Sequence, residues 1–290
     1  MSAPKDNPSD AASVHALGRR RRDWPKHAVI LVVVLIELFP LYVMLQVSFK
    51  DNAGFIENPW LPSAPATWHW ENWVFGLGLI GPYLVNTVFV AVTGTACSLT
   101  FAILGAYFFA RYRMPLSGVL WPAFLLLMLL PGIANLVPLF MLLKKLSLLN
   151  TLWALIAVGV AGGQVFNIFV LRNFIEDLPK DLFEAAEIDG ASHLQQIKNI
   201  VLPLAAPIIG TLAVLAFLAQ WNEFLLPLIV LRDKELFTLG VGLIYLDGEY
   251  VKQWGQIMAA YFVAAVPLIA IFLFTMRLFV RGLSQGAIKG

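Results

Sequence analysis

Few residues of this chain could do chemistry, and their positions exclude most of it. The four histidines, His15, His27, His69 and His193, all fall outside the long apolar blocks, while the single cysteine, Cys97, falls inside one. A Ser–His dyad or a histidine metal site at membrane depth is thereby excluded, and no Asp-rich pair suits a prenyl-diphosphate site. One cysteine cannot form an intrachain disulfide and reads as packing. No lysine follows a glycine, so the Gly-Lys-Ser/Thr ending of a P-loop is absent and the chain has no ATP site of its own. A net charge of +2 is too small to argue for nucleic acid. Three polar features remain: Glu37, the cluster Gln220, Asn222 and Glu223, and an island from Glu184 to Pro203. A charge at the centre of a span costs about 2.5–3.5 kcal/mol, so each acid needs a partner or water. Glu37 has no cation in its own block, which leaves protonation, contact with a second subunit or a transport role. Asn222 and Glu223 either line a polar pathway or make hydrogen bonds between helices, and Asn135, Gln164 and Asn167 share that choice.

The elements that must position these groups are apolar. Of 290 residues 59% are hydrophobic and 13% charged, and mean hydropathy is +0.77. Soluble domains carry about 25% charged residues. Six blocks reach the roughly 20 residues needed to cross the hydrocarbon core: about 28–48, 83–109, 118–143, 152–171, 204–231 and 257–280. Pro40, Pro131, Pro138, Pro207, Pro227 and Pro267 predict kinks in them. The fold expected is all-α and polytopic, with a disordered basic tail at 1–27 and one membrane domain of six helices at 28–290. Arg19–Arg22 resembles a targeting signal, but the block that follows has no small-residue cleavage site and reads as a retained span. With the N-terminus inside, 14 of the 20 Lys and Arg fall on the cytoplasmic side, which places both termini and 172–203 there. The outer loops are then about 49–82, 144–151 and 232–256. The first, with Trp60, Trp68, Trp70 and Trp73, suits a segment along the membrane interface. In the last, the glycines of 239–245 predict mobility and Asp247-Gly248-Glu249 predicts a turn.

The island is built from local signals. Pro179 suits a first helical turn, with Asp181 complementing the dipole. A short helix is expected over 180–188, with Leu182, Phe183, Ala185, Ala186 and Ile188 as its apolar surface. Asp189-Gly190 stops it. Ser192 caps a second helix and Gln195 completes a capping box. Leu194, Ile197, Ile200 and Val201 give that helix an apolar face, and Pro203 marks the run into the fifth span. On the residues alone this is either an amphipathic connector or a docking element, whose small residues Ala185, Ala186, Gly190 and Ala191 allow close approach by another surface.

The pattern Glu184-Ala185-Ala186, then Asp189-Gly190-Ala191, then Ile200, Leu202 and Pro203 resembles the cytoplasmic coupling loop of bacterial ABC importer permeases. Trp221-Asn222-Glu223 and the C-terminus Arg281–Gly290 are similar to the carbohydrate-importer branch, on the maltose-type permease pattern. The resemblance covers roughly 85–290. One departure is Gln195-Gln196, where related loops tend to carry an aromatic or basic pair. What the resemblance implies is a type I importer permease of the bacterial inner membrane working by alternating access. Its partners would be a sister permease, two ABC ATPases carrying ATP and Mg, and an external solute-binding protein that delivers a carbohydrate. The nine pattern residues would contact the ATPase. Gly286, Lys289 and Gly290 of the tail 282–290 would reach between the ATPases, and Leu243, Tyr245 and Asp247 would meet the binding protein. The rival class is a secondary transporter, or a permease for a non-sugar solute. A secondary transporter should show paired repeats and buried ionisable groups, and only Glu37 and Glu223 qualify.

Overall fold

Without water in the hydrocarbon core, a spanning chain must satisfy its backbone internally. The computed structural model of this protein is accordingly helical, with no strand among the described residues. It describes the backbone at 23–112, 115–130, 132–249 and 253–287, and side chains over 23–245 and 253–273 except at 113, 114, 117, 131 and 133. The helices are α1 Trp24–Val47, α2 Asn52–Glu57, α3 Glu71–Arg111, α4 Ser117–Leu126, α5 Leu136–Lys145, α6 Leu152–Glu176, α7 Lys180–Ile188, α8 His193–Gln196, α9 Leu202–Trp221, α10 Leu225–Val230, α11 Leu239–Glu249 and α12 Trp254–Ala287. The part of the expected basic tail at 1–22 lies outside the described residues. Its last residues are already helical, with Lys26 paired to Asp23 at 2.9 Å.

Five stretches are long and apolar enough to cross a membrane: Trp24–Val47, Glu71–Arg111, Leu152–Glu176, His193–Val230 and Trp254–Leu273. The remaining expected crossing, 118–143, is not one helix. It divides into α4, a 3-10 turn at Leu127–Leu129, another at Gly132–Asn135, and α5. Leu130, which precedes Pro131, takes extended backbone at ψ 120°. That is the conformation a following proline ring imposes, and proline has no N–H with which to continue the ladder. α3 also differs from its expected bounds. It begins at Glu71 rather than 83 and runs 41 residues, roughly 60 Å at 1.5 Å per residue and twice the hydrocarbon thickness.

The chain forms two compact units. One comprises residues up to Val74 with Gln253–Phe262, and the other Phe75–Lys252 with Val263–Gly290. In the first, aromatic rings cluster around the segment 49–73. Trp68, Trp70 and Trp73 surround Phe49 with ring centroids at 4.6, 5.0 and 5.4 Å. Trp60 stacks on Phe39. Lys50 is buried and donates to the carbonyls of Asn58 and Leu61. Burial lowers its pKa below the ordinary lysine value, because desolvation penalises the ammonium. Asn72 donates to Ser48 O and Lys50 O at 3.0 and 2.9 Å. Gly255 closes against the same backbone: a Cβ there would overlap Lys50 O and the Asn72 amide. Backbone cannot swing aside as a side-chain tip can, and overpacking of this kind costs about 1–3 kcal/mol or more. Gly255→Val is therefore expected to cut the amount of monodisperse protein extracted from membranes several-fold. Gly78→Val, where an added Cβ would meet no neighbouring element within 4 Å, should leave it unchanged. Equal yields would contradict this packing.

In the second unit two apolar clusters sit at different levels along the same helices. One joins Leu99, Ala102, Ala106 and Tyr107 of α3 to Ile168, Leu171 and Ile175 of α6, Phe183 of α7, Ile197 and Val201, and Ala205 and Leu212 of α9. The other joins Val90 to Leu143, Ala154–Ile156, Leu226, Val230, Leu231, Phe237 and Val241.

The segment after α10 is a correction. It was expected to be a mobile glycine loop with a turn at 247–249, yet 239–249 is helix α11. Its approach is pinned. Asn86 Nδ2 donates to Glu235 O and Phe237 O at 2.7 and 3.1 Å. Thr87 Oγ1 accepts from Leu239 N at 2.7 Å. Asn150 Oδ1 accepts from Arg232 N and Asp233 N at 2.9 and 3.1 Å. The glycines serve close packing rather than motion. A Cβ on Gly242 would enter the Tyr83 ring, with Cε2 at 2.6 Å, and Gly240 lies against Phe224.

Candidate functional site

The island folds as its local signals require. α7 ends at Ile188 and Gly190 takes φ +76°. Gly190 N bonds Glu187 O at 3.0 Å and Ala191 N bonds Ala186 O at 2.8 Å. These are the two bonds of a Schellman closure, which needs the left-handed residue glycine supplies without strain. Ser192 Oγ accepts from Gln195 N at 3.4 Å, and the Gln195 side chain accepts from Ser192 N at 2.7 Å, completing the capping box. α8 then passes through a π turn, Ile197–Val201, directly into α9. Pro203 stands in the first turn of α9. It lacks an N–H, and its ring would crowd the carbonyl four residues back. The wider turn before it absorbs both.

Tertiary contacts then fix the motif to the C-terminal end of α3. Phe183, fully buried, projects from α7 beneath Arg111, whose guanidinium carbon lies 4.2 Å from the ring centroid. Arg111 also reaches Glu187 at 3.6 Å. That pair is half exposed and adds little, about 0–1 kcal/mol. The cation–π contact and the burial of Phe183 carry the attachment. On the other arm, Gln196 is 1% exposed. Its Oε1 accepts from Tyr107 Oη at 2.7 Å, and its Nε2 donates to Ala191 O at 3.4 Å. His193 lies between two tyrosines, Tyr107 Oη at 3.0 Å from Nδ1 and Tyr112 Oη at 2.6 Å from Nε2. Gln195 and Gln196 thus have separate tasks, one closing a cap and the other bolting α8 to α3.

The pattern residues fall on the side left open. Glu184, Ala185, Asp189, Gly190, Leu202 and Pro203 are exposed, while Ala186, Ala191 and Ile200 are half-buried. Beside them stand three exposed apolar side chains, Ile188 at 87%, Leu194 at 70% and Leu182 at 43%. Sequence reasoning placed these on the apolar surface without separating them from Phe183, the residue that turns inward. It also missed the anchors Tyr107, Arg111, Tyr112 and His193. Their signal was the spacing of Tyr107 and Arg111, four apart and so on one helix face.

A second feature lies between the two apolar clusters. α9 stops at Trp221, and the chain leaves helix until Leu225. At this break Glu223 Oε1 accepts from Leu226 N at 3.1 Å, and Asn222 turns back to Leu218 O at 2.9 Å. Glu223 faces a cavity of about 360 Å³ between α3, α6, α9 and α10, and Asn222 does not. Gln220 enters the wall between Gly94 and Gly159, where a Cβ on either would overlap it. With its amide turned so that the nitrogen donates, it bonds Val90 O at 3.2 Å and accepts from Thr95 N at 2.9 Å. Asn167 and Gln164 both donate to Ser98, Asn167 Nδ2 to Oγ at 3.2 Å and Gln164 Nε2 to the carbonyl at 3.1 Å. These polar groups therefore tie helices together, and Asn167 also lines the cavity.

The other residues of interest lie apart. Leu243 and Tyr245 are on α11, where Tyr245 packs on Phe237 at 4.8 Å. Asp247 is in the same helix, with its side chain outside the described residues. Gly286 is in the last turn of α12, which continues helically to Ala287 through most of the expected tail; Lys289 and Gly290 lie outside the described residues. Glu37 is on the exposed surface of α1, whose apolar window is unburied. No ion pair among the described residues involves it.

Residues 98–285 match the family described as binding-protein-dependent transport system inner membrane component. The chain is 34% identical over 266 residues to the trehalose/maltose transport system permease protein MalG of Thermococcus litoralis, covering 90% of this chain and 94% of that protein. It is 33% identical over 276 residues to the sn-glycerol-3-phosphate transport system permease protein UgpE of Pectobacterium atrosepticum, covering 91% and 97%. Its fold matches a chain in the crystal structure of a bacterial ABC transporter involved in the import of the acidic polysaccharide alginate. There the TM-score is 0.77 at 22% identity, over 95% of this chain and 99% of that one. A multi-pass helical chain, broken at Trp221 and carrying a braced Glu184–Pro203 motif, thus belongs to the inner membrane components of binding-protein-dependent transport systems.

Proposed function

We propose that this chain pairs with a sister permease to form the pathway by which an external binding protein's carbohydrate crosses the inner membrane. Two partner ATPases would supply the energy from ATP and Mg, since this sequence has no P-loop. In this reading both termini and 172–203 face the cytoplasm, where the charge bias puts them. Glu184, Ala185, Ala186, Asp189, Gly190, Ala191, Ile200, Leu202 and Pro203 form the ATPase-coupling surface. Gly286, Lys289 and Gly290 add a C-terminal ATPase contact, and Leu243, Tyr245 and Asp247 meet the binding protein.

The observation that carries this reading is the α7–α8 motif. A lever transmits force only if it is stiff within itself and fixed to what it moves. The Schellman closure and capping box supply the first, and Phe183 and Gln196 on α3 supply the second. The π turn joins the motif to α9 without a flexible linker. Its outer side shows Leu182, Ile188 and Leu194 to solvent, and exposed apolar patches mark partner surfaces. The relatives' names, for trehalose/maltose and glycerol 3-phosphate, support small polyhydroxylated solutes over other cargo.

Reconstitution with the sister subunit, ATPases and binding protein tests it. Uptake into proteoliposomes should require ATP on the motif's side and the binding protein on the other. Accumulation driven by a proton gradient without ATP would overturn the reading in favour of a secondary transporter.

A further inference from the structure

We propose that the cavity between α3, α6, α9 and α10 is a subsite for an uncharged polyhydroxylated ligand and discriminates against anionic sugars. This rests on the pathway reading above and narrows it. The relatives do not decide the point, because one is named for trehalose and maltose and another for a phosphate ester.

The walls supply the argument. A cavity of about 360 Å³ is within the usual range for small-molecule sites, which combine apolar walls with a few placed polar groups. Asn167 and Glu223 both line it, and each has an acceptor oxygen with no donor among the described residues. Asn167, 4% exposed, commits its Nδ2 to Ser98 Oγ and leaves Oδ1 free. Glu223 commits one carboxyl oxygen to Leu226 N and leaves the other free. Thr238 Oγ1, also in the lining, is buried without a hydrogen-bond partner among the described residues; such a group is costly, and a ligand hydroxyl supplies the partner. Phe166, 42% exposed, offers a ring edge and face to the C–H surface of a sugar.

Charge decides the class. Glu223 is the sole ionisable residue in the described lining, and no Lys, Arg or His accompanies it. A phosphate or carboxylate entering between these apolar walls would gain no counter-charge and would face the Glu223 carboxyl group. Unpaired charges in such surroundings are strongly disfavoured. Hydroxyls, which donate to both free acceptors, meet no such cost.

The test uses the assembled complex in membrane vesicles, with Cys97→Ser and Ala219→Cys introduced so that the one thiol lines the cavity. The rate of thiol labelling by a maleimide is measured with maltose, trehalose or cellobiose, and with glucose 6-phosphate, galacturonate or glycerol 3-phosphate. At least one neutral disaccharide should slow labelling about fivefold or more, and the anions less than twofold. In Glu223→Lys the neutral sugar should lose its protection and glucose 6-phosphate should gain it. If that variant does not reach the membrane, Glu223→Gln carries the arm, with at least threefold weaker protection by the neutral sugar. Anions protecting as well as neutral sugars, or no probe protecting at all, would overturn the inference. Binding-protein-stimulated ATPase of the unaltered complex is scored first. Its absence counts against the transport reading itself, whereas stimulation without protection counts against the subsite alone.

Discussion

Replacing Phe183 by alanine is expected to uncouple this protein while leaving it in the membrane. The side chain is fully buried, its ring centroid lies 6.5 Å from that of Tyr107, and Arg111 covers its face. Truncating a buried phenylalanine costs about 3–5 kcal/mol. Here the loss falls on one joint rather than on the whole fold. α7 has nine residues, too few to persist as a helix without packing. Loss of the plug should therefore detach and fray it, shifting the local docking equilibrium by a factor on the order of a hundred to a thousand. The spans, still joined by the other members of that cluster and by the second one, stay in place. Binding-protein-stimulated ATPase in proteoliposomes should fall at least tenfold, and the 178–192 segment should become sensitive to limited proteolysis. Phe183→Leu refills most of the volume and should keep most of the stimulation. Wild-type stimulation in Phe183→Ala would show that α7 is not held as the contacts with α3 require.

The second large effect is at Gly190, where the expected order among variants is itself diagnostic. A Cβ at this residue would meet nothing within 4 Å, so no clash is available to explain a defect. The constraint is the backbone, at φ +76°. Left-handed geometry costs ordinary L-residues about 1–2 kcal/mol, asparagine less and β-branched residues most. Stimulated ATPase should therefore decline in the order glycine, asparagine, alanine, valine, with Gly190→Asp also impaired. Glu184→Lys is the companion experiment. Glu184 is exposed and makes no ion pair among the described residues, so charge reversal there should act through a partner surface alone. It should reduce stimulation without exposing 178–192 to protease, whereas Gly190→Val should do both. An unordered Gly190 series would remove the Schellman turn from the coupling argument.

Much of this was legible before any coordinates, and the pattern of what was missed is physical. The bounds of α7, its stop at Asp189-Gly190, and the Ser192–Gln195 capping box all follow from interactions spanning three to five residues. Such signals are written in adjacent letters. The apolar blocks were legible for a similar reason: insertion depends on summed hydropathy over about 20 residues, whatever lies alongside. At 118–143 composition marked a crossing with a kink at Pro131, and the break proved complete, dividing the segment into α4 and α5 after Leu130.

What the sequence by itself determined is therefore a membrane-embedded helical chain with a capped, turned motif poised between two spans. Tertiary structure alone decided which face of that motif is fastened and which is free. Phe183 and Ile188 are equally apolar to the eye, yet one is fully buried under Arg111 and the other 87% exposed. Gln196 reads as a departure from pattern until Tyr107, 89 residues away, is brought to it. Gly240 and Gly242 read as loosening until Phe224 and Tyr83 fill the space beside them. The cavity exists only where α3, α6, α9 and α10 meet at the break after Trp221. In each case the deciding energy is packing and hydrogen bonding between residues far apart in the chain, to which local propensity carries no reference.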